Sequence, residues 1–190
     1  MGHQHFKLFK PFGYLSQFLS NARHERNKKF LGELHDFPPG TMAIGRLDKD
    51  SEGLLLLTTD GKVSAEITGT NIEKEYYVQV DGEITDQALN ALRNGVDISH
   101  NNEIYKTKPC NAHKLQIAPN FPERSKRIRD ERHGPTSWIT ITITEGKFRQ
   151  VRKMTAKVGF PTLRLIRVRV GRITLDNLKM GEVQSVLELI

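Results

Sequence analysis

The sequence has little of what would cross-link a protein or carry it into a membrane. It contains one cysteine, Cys110, so an internal disulfide is excluded, which suits a reducing compartment. No apolar run approaches the roughly 18 residues that a membrane helix needs. The N-terminus, MGHQHFKLFK, lacks the apolar stretch of a secretory signal. We therefore expect a cytoplasmic protein with no membrane partner.

Patterns for metals, nucleotide cofactors and sugars are also scarce. The seven histidines are scattered, and none has ligand spacing to Cys110. The chain has no G-x-G-x-x-G or Walker pattern. We therefore expect no metal and no cofactor. A glycosidase that used Asp48 and Glu52 as its paired carboxylates is a remote alternative, because Trp138 is the only tryptophan available for a sugar platform.

Positive charge is what the sequence has in excess. There are 29 lysines and arginines against 22 acidic residues, which gives a net charge of +7 and a pI near 9.6. Such an excess favours a polyanionic partner. The basic residues concentrate in the insert 118–135, in a predicted helix after Gly146, and in LRLIRVRVGR. Three basic surfaces in one small chain favour an RNA- or DNA-binding groove over a merely solvated face.

Alternation and short apolar runs predict the strands. LLLLTT, closed by Asp60-Gly61, predicts a buried strand, and FKLFKPFGYLSQF predicts a strand that turns near Pro11 and Gly13. EYYVQVDG and TSWITITITEG alternate, and the residues expected on their buried faces are Tyr76, Val78, Val80, Ile139, Ile141 and Ile143. The polar stretch NARHERNKK (21–29) predicts an exposed loop.

Two helices are predicted. DQALNALRN forms the first, with Thr85 as its N-cap and Gly95 as its stop. The second runs from about Phe148 to Val158 and has an apolar face and a basic face. The apolar face comprises Phe148, Val151, Thr155 and Val158, and the basic face comprises Arg149, Arg152, Lys153 and Lys157.

Strands that mostly neighbour one another, with few helices between them, indicate the α+β class. We expect a mixed, mostly antiparallel central sheet with flanking helices and loops. A length of 190 residues fits a single domain over 1–190, which allows two lobes sharing one sheet, with a basic insert at 118–135.

The stretch GRLDKDSEGLLLLTTDG (45–61) places a cluster of charge directly before four leucines. The residue types alone favour a solvated turn, with Arg46 as the local partner of Asp48. They leave open that one carboxylate is held at the edge of the core for chemistry. Asp50 and Glu52 are expected to lie in the solvated turn.

This stretch resembles the catalytic motif G-R-L-D-x-x-[ST]-x-G-L-[LI]-[LI]-x-T-x-D-G of the RsuA-type ribosomal RNA pseudouridine synthases. FKPFG resembles the family's N-K-P segment, with Phe9 in place of Asn, and KEYYVQVDG resembles its K-x-Y-x-V segment. ITEGKFRQVRKMTAKVGFPTLRLIRVRVG resembles its E-G-[RK]-x-R-Q-[VI]-R-R-M…L-x-R-x-x-x-G segment. The four blocks follow the family's order from about residue 6 to about residue 183.

The resemblance implies the pseudouridine synthase catalytic fold, without the S4-type domain that many members carry. It implies isomerisation of a specific uridine to pseudouridine, with no metal or cofactor. The implied partner is large-subunit (23S) ribosomal RNA, and we expect the chain to act as a monomer. Two alternatives stay open: a non-catalytic RNA-binding or ribosome-assembly factor on this fold, and a synthase for another rRNA or tRNA site.

The resemblance also implies roles for individual residues. Asp48 matches the catalytic aspartate, which acts at the sugar C1′ of a flipped-out uridine or in an elimination through a glycal. Arg152 would keep Asp48 ionised and oriented, and Tyr76 would lie against the base and serve as a general base. The residues expected to bind RNA are Lys10, Arg46, Arg124, Arg127, Arg129, Lys147, Arg149, Lys153 and Arg167.

Overall fold

The computed structural model describes residues 2–19, 27–69 and 71–190. The strands in these ranges are β1 (His5–Lys10), β2 (Met42–Ile44), β3 (Glu52–Thr58), β4 (Lys74–Asp81), β5 (Asp97–His100), β6 (Glu103–Lys106), β7 (Asn111–Lys114), β8 (Thr136–Ile143), β9 (Thr162–Val170), β10 (Ile173–Thr174) and β11 (Val183–Val186). The α-helices are α1 (Gly61–Gly69), α2 (Asp86–Asn94) and α3 (Gln150–Lys157). Most of the predicted loop 21–29 lies outside the described residues.

The chain forms two compact units. The first contains residues up to Ile72 together with Arg124–Lys126 and Arg167–Ile190. The second contains Glu73–Glu123 and Arg127–Ile166. Strand β9 therefore contributes its first residues to the second unit and its last residues to the first.

The first unit is organised around β3. β1 pairs antiparallel with β3 and with β11, and β2 also pairs antiparallel with β3. Every residue of β3 is buried, as a strand covered on both faces requires. This confirms the buried strand predicted from LLLLTT.

Helix α1 was not predicted from the sequence. It begins directly after the Asp60 position, where a turn alone was expected, and the Asp60 carboxylate accepts a hydrogen bond from the backbone N–H of Lys62 (2.9 Å). Ile67 is its one buried residue, so the helix has almost no apolar stripe for a sequence pattern to reveal.

The second unit is organised around β8. β4 pairs antiparallel with β8 along its whole length, with Tyr76 opposite Ile141, and β7 pairs with the other edge of β8. The predicted alternation is confirmed, because the residues expected on the inner faces of both strands are buried. β5 and β6 form a separate hairpin.

Helix α2 has the predicted ends. The Thr85 hydroxyl accepts a hydrogen bond from the Ala88 N–H (3.2 Å), which caps the first turn. Gly95 follows the last turn with a φ of 92°, a conformation that favours glycine. Ala88, Leu89 and Leu92 form its buried face.

Helix α3 is shorter than predicted, and the prediction that Phe148 belongs to its apolar face is wrong. Arg149 adopts a left-handed conformation (φ 52°) and the helix begins only at Gln150. Phe148 therefore lies outside the helix, and 67% of its surface is exposed. Val151, Met154 and Thr155 form the buried face instead.

The insert 118–135 has little regular structure beyond a single 3-10 turn at Glu131–His133. Within the second unit, Phe121 packs edge-on against Tyr77, with ring centroids 6.0 Å apart. Arg129 forms an ion pair with Asp81 on β4. The insert is therefore attached to the sheet by an aromatic contact and by a salt bridge. Among the described residues, no helix has the length and apolar character to cross a bilayer.

Candidate active site

Asp48 lies in the loop that joins β2 to β3. It is half-buried, and the preceding Leu47 is only 5% exposed, so Leu47 anchors the loop in the core of the first unit. The backbone carbonyl of Asp48 accepts a hydrogen bond from the Ser51 N–H (3.0 Å). The loop is thus tightened by a turn directly after the aspartate.

Ser16 holds the residue before Asp48. Its hydroxyl donates to the Leu47 carbonyl (2.6 Å) and accepts from the Leu47 N–H (3.0 Å). On the other side of Asp48, the Lys49 carbonyl accepts from the Gly13 N–H (2.8 Å). Both neighbours of the aspartate are therefore fixed by the segment that follows β1, and no local sequence pattern identifies Ser16 as part of this arrangement.

Arg167 supports the start of the same loop from within the protein. Its Nε donates to the Leu54 carbonyl (2.8 Å) and one terminal nitrogen donates to the Gly45 carbonyl (3.1 Å). The residue is only 4% exposed. Its guanidinium therefore donates to backbone carbonyls in the interior, whereas the sequence predicted that Arg167 binds RNA.

Lys10, which was also predicted to bind RNA, lies in the interior as well. It is fully buried, and its Nζ donates to the carbonyls of Tyr14 (2.7 Å), Pro11 (3.0 Å) and Lys49 (3.4 Å). Burial lowers the pKa of Lys10 to about 7, although the carboxylates of Glu52, Asp50 and Asp48 act in the opposite direction. In this position the Lys10 ammonium bonds to backbone carbonyls. It ties the Asp48 loop to the end of β1.

Glu52 also departs from its expected position. The residue is fully buried at the start of β3, whereas a solvated turn was predicted, and Asp50 is half-buried. The Glu52 carboxylate raises the pKa of the buried Lys10, and this opposite charge offsets part of the cost of burying the carboxylate. Asp48 is thus one of several acidic residues beside a buried cation.

Tyr76 and Arg152 both lie in the second unit. Tyr76 lies on the buried face of β4 and is 9% exposed. Arg152 is half-buried on α3. Asp48 thus belongs to one unit and its two expected partners belong to the other.

A network around Glu145 shapes the loop before α3. The carboxylate of Glu145 accepts from the Tyr105 hydroxyl, the Lys108 N–H (2.7 Å) and the Gln150 side chain (2.9 Å). The Gln150 side chain in turn accepts from the Lys147 N–H (3.0 Å). The hydrogen bonds lower the pKa of Glu145 below its ordinary value against the effect of burial. The side chains of Glu145 and Gln150 fix the turn that leads into the helix, a role that no local sequence pattern predicts.

The remaining basic candidates differ in exposure. Arg46 and Arg127 are exposed, whereas Lys147, Arg149 and Lys153 are half-buried. Within the first unit the Arg124 guanidinium lies 4.6 Å from the centroid of the Phe12 ring. Arg129 donates to Asp81 and to the His133 carbonyl (3.0 Å), so its charge is engaged inside the second unit.

The chain matches the family model described as RNA pseudouridylate synthase over residues 4–157. The chain belongs to this family. The match covers three of the four sequence blocks completely and extends into the fourth. In the part of the synthase that the structure describes, no group of three histidine, cysteine, aspartate or glutamate side chains could hold a metal ion.

Relatives of known name support the same family. The synthase is 43% identical over 177 residues to "Ribosomal large subunit pseudouridine synthase E" of Xanthomonas campestris pv. campestris, an alignment that covers 92% of this chain and 91% of the relative. It is 42% identical to the protein of the same name from Vibrio parahaemolyticus, with 91% of this chain and 69% of the relative covered.

Solved structures confirm the predicted fold. A structure described as a pseudouridylate synthase superposes with a TM-score of 0.76 at 27% identity, covering 97% of this chain and 70% of that one. A Cbf5-Nop10-Gar1 complex matches with a TM-score of 0.59 at 14% identity, covering 91% and 50% of the two chains, which shows a shared fold alone. The α+β class and the pseudouridine synthase catalytic fold are therefore both confirmed for this synthase.

Proposed function

We propose that this chain converts a specific uridine of large-subunit (23S) ribosomal RNA to pseudouridine. The observation that carries the proposal is its 43% identity, over 91% of the relative's length, to a protein named for this activity on the large subunit. The net charge of +7 suits a polyanionic substrate. The reaction breaks the C–N bond between uracil and ribose and joins the base to the sugar through C5.

We propose Asp48 as the catalytic carboxylate. Its support is the motif match together with a loop whose backbone is held at Gly45, Leu47 and Lys49. Either chemical route, attack at C1′ or elimination through a glycal, needs an ionised aspartate in a fixed orientation. A loop that is tied to the core on both sides of Asp48 provides that orientation without rearrangement during the reaction.

Tyr76 and Arg152 are proposed to act with Asp48 in the roles that the family motif assigns. Arg152 would neutralise and orient the carboxylate, and Tyr76 would contact the base and accept its proton. Because the target uridine is stacked in RNA, it must be flipped out to reach these groups. The strict match of all three residues to their motif blocks supports this assignment.

We propose that the exposed and half-buried basic residues bind the RNA backbone. Arg46, Arg127, Lys147, Arg149 and Lys153 supply this charge, while Lys10 and Arg167 position the Asp48 loop from the interior. We also propose that the synthase acts in the cytoplasm, as a monomer, because one chain contains all four motif blocks. Light scattering on the purified protein measures its oligomeric state directly.

The proposed function is tested by mapping pseudouridines in 23S RNA from a strain that lacks this protein. Carbodiimide-stopped primer extension should lose one stop, which a plasmid encoding the wild type restores. Asp48→Asn and Asp48→Ala should restore nothing, while their RNA affinities stay close to that of the wild type. Restoration by Asp48→Ala would instead indicate a non-catalytic RNA-binding factor, and an unchanged stop pattern in the deletion strain would exclude the large-subunit target.

A further inference from the structure

Phe148 is an exposed aromatic residue in a segment whose backbone is held by hydrogen bonds. It lies directly before the left-handed residue Arg149 and the start of α3, and 67% of its surface is accessible. Single exposed apolar side chains are common and need no special explanation. Phe148 differs because Glu145 and Gln150 hold the backbone that presents it, through the Lys147 N–H and the amide of Gln150.

One lysine lies over the Phe148 ring, and the lysine that precedes Phe148 in the sequence lies over a second aromatic ring. The Lys153 ammonium lies 5.3 Å from the centroid of the Phe148 ring, and the Lys147 ammonium lies 5.0 Å from the centroid of the Tyr105 ring. Lys153 is further held by its hydrogen bond to the Ser99 carbonyl (2.7 Å). These four residues, Tyr105, Lys147, Phe148 and Lys153, form what we call the Phe148 patch.

We propose that the Phe148 patch binds an unpaired nucleobase of the substrate RNA, with Phe148 stacking on the base and the two lysines contacting the flanking phosphates. An aromatic face beside lysines matches the chemistry of single-stranded RNA, which offers flat bases along a chain of negative charge. The apolar core of a protein partner would not require the two ammonium groups. This inference rests on the proposed function in one respect, which is that the bound RNA is the substrate of the enzyme.

The left-handed backbone of Arg149 explains why Phe148 is available for this contact. A helix continued through residue 148 would turn this side chain toward the buried face shared by Val151 and Thr155, as the spacing predicted. The turn at Arg149 instead directs Phe148 to the surface. A non-glycine residue with positive φ is uncommon, and such residues concentrate at functional sites.

The first test measures the affinity of the full chain for a fluorescein-labelled, single-stranded oligoribonucleotide. Phe148→Ala should weaken binding by about tenfold or more, and Phe148→Tyr should retain it, because stacking of a base on an aromatic side chain contributes on that scale. Ile117→Ala is the matched control, since Ile117 is also an exposed apolar residue (84%) of the same unit and lies outside the patch. Circular dichroism melts confirm that each variant is folded.

The second test detects stacking itself. Phe148→Trp in a Trp138→Phe background leaves one tryptophan, whose fluorescence should be quenched by the oligoribonucleotide and not by inorganic polyphosphate. Quenching by both would show charge attraction alone and would overturn the proposal. Unchanged affinity of Phe148→Ala for naked RNA would also overturn it, including the case in which only binding to ribosomal particles falls, which would indicate a protein contact.

The two proposals fail in different experiments. If the deletion strain keeps every pseudouridine stop while RNA binding depends on Phe148, the proposed function is wrong and the stacking site stands. If the stop is lost in the deletion strain while Phe148→Ala binds RNA like the wild type, the stacking site is wrong and the proposed function stands.

Discussion

Asp48 depends on residues that are distant in the sequence and that never contact substrate in our assignment. Ser16 makes two hydrogen bonds to Leu47, Lys10 donates to Lys49, and Arg167 donates to Gly45. Each of these three side chains is buried, so the loss of its bonds leaves a polar group with little access to water. At the scale of the residue, the loop of the proposed catalytic aspartate is therefore held by its backbone.

Ser16→Ala tests this arrangement. The change removes both bonds to Leu47 and leaves a buried N–H and carbonyl unpaired, so the free energy of unfolding should fall by about 1–3 kcal/mol. Because the loop that orients Asp48 is loosened, kcat for pseudouridine formation should fall about tenfold or more, with little change in KM. Single-turnover assays and urea unfolding measure the two effects.

Ser16→Thr is the matched control, since it keeps the hydroxyl and should recover most of kcat. A wild-type kcat in Ser16→Ala would show that the loop does not need these bonds. A loss of stability with unchanged kcat would assign Ser16 to folding alone.

Strand β3 reaches its position beside β9 because Gly53 has no side chain. Gly53 adopts a φ of 105°, and a Cβ built there would lie 2.2 Å from the Arg167 carbonyl oxygen. No side chain fits in that space, and the backbone conformation itself is unfavourable for other residues. The close approach in turn lets the Arg167 guanidinium reach the carbonyls of Leu54 and Gly45. At the scale of the element, one glycine connects sheet packing to the Asp48 loop.

Gly53→Ala should therefore be strongly destabilising. Because the new methyl group meets backbone atoms, β3 and β9 must separate, and we expect a loss of about 3 kcal/mol or more in the free energy of unfolding. Gly61→Ala is the matched control, since Gly61 starts a helix and a Cβ there meets nothing within 4 Å. Thermal melts that moved equally in both variants would contradict the steric argument.

Net charge acts at the scale of the whole molecule, but the basic residues divide into two groups. Lys10, Arg129 and Arg167 are engaged with protein groups, whereas Arg46 and Arg127 are exposed. Counterion release depends on cations that reach phosphates, so a formal charge of +7 says little about how many contribute to RNA binding.

Arg127→Gln and Arg129→Gln separate the two groups. Removing the exposed Arg127 should lower the slope of log Kd against log salt by about 0.7–0.9, the value for one phosphate contact. Arg129→Gln should leave the slope close to that of the wild type and lower stability instead, because it breaks the ion pair with Asp81. Affinities measured over a salt series, combined with melts, check both, and an unchanged slope in Arg127→Gln would reject its role in binding RNA.

The sequence by itself determined the elements whose causes are local. Alternation in β4 and β8, the Thr85 cap, the Gly95 stop and the apolar run of β3 each predict a structure from neighbouring residues, and each is confirmed. The four ordered motif blocks predicted the family and the fold in the same way. Helix α1 was not predicted because it has almost no apolar stripe. Phe148 was wrongly assigned to the apolar face of α3 because helical spacing cannot reveal that the next residue, Arg149, is left-handed.

Only the tertiary structure decided which charges are buried. The sequence predicts surface positions for Lys10, Glu52 and Arg167, because charged side chains usually lie in water, but all three are buried. Their partners include backbone carbonyls up to 122 positions away, and chain folding alone brings these distant groups together. A local sequence pattern indicates whether a residue type is usually buried or exposed. The cost of burying a charge is offset by partner groups that come close only in the folded chain, so the pattern cannot reveal them.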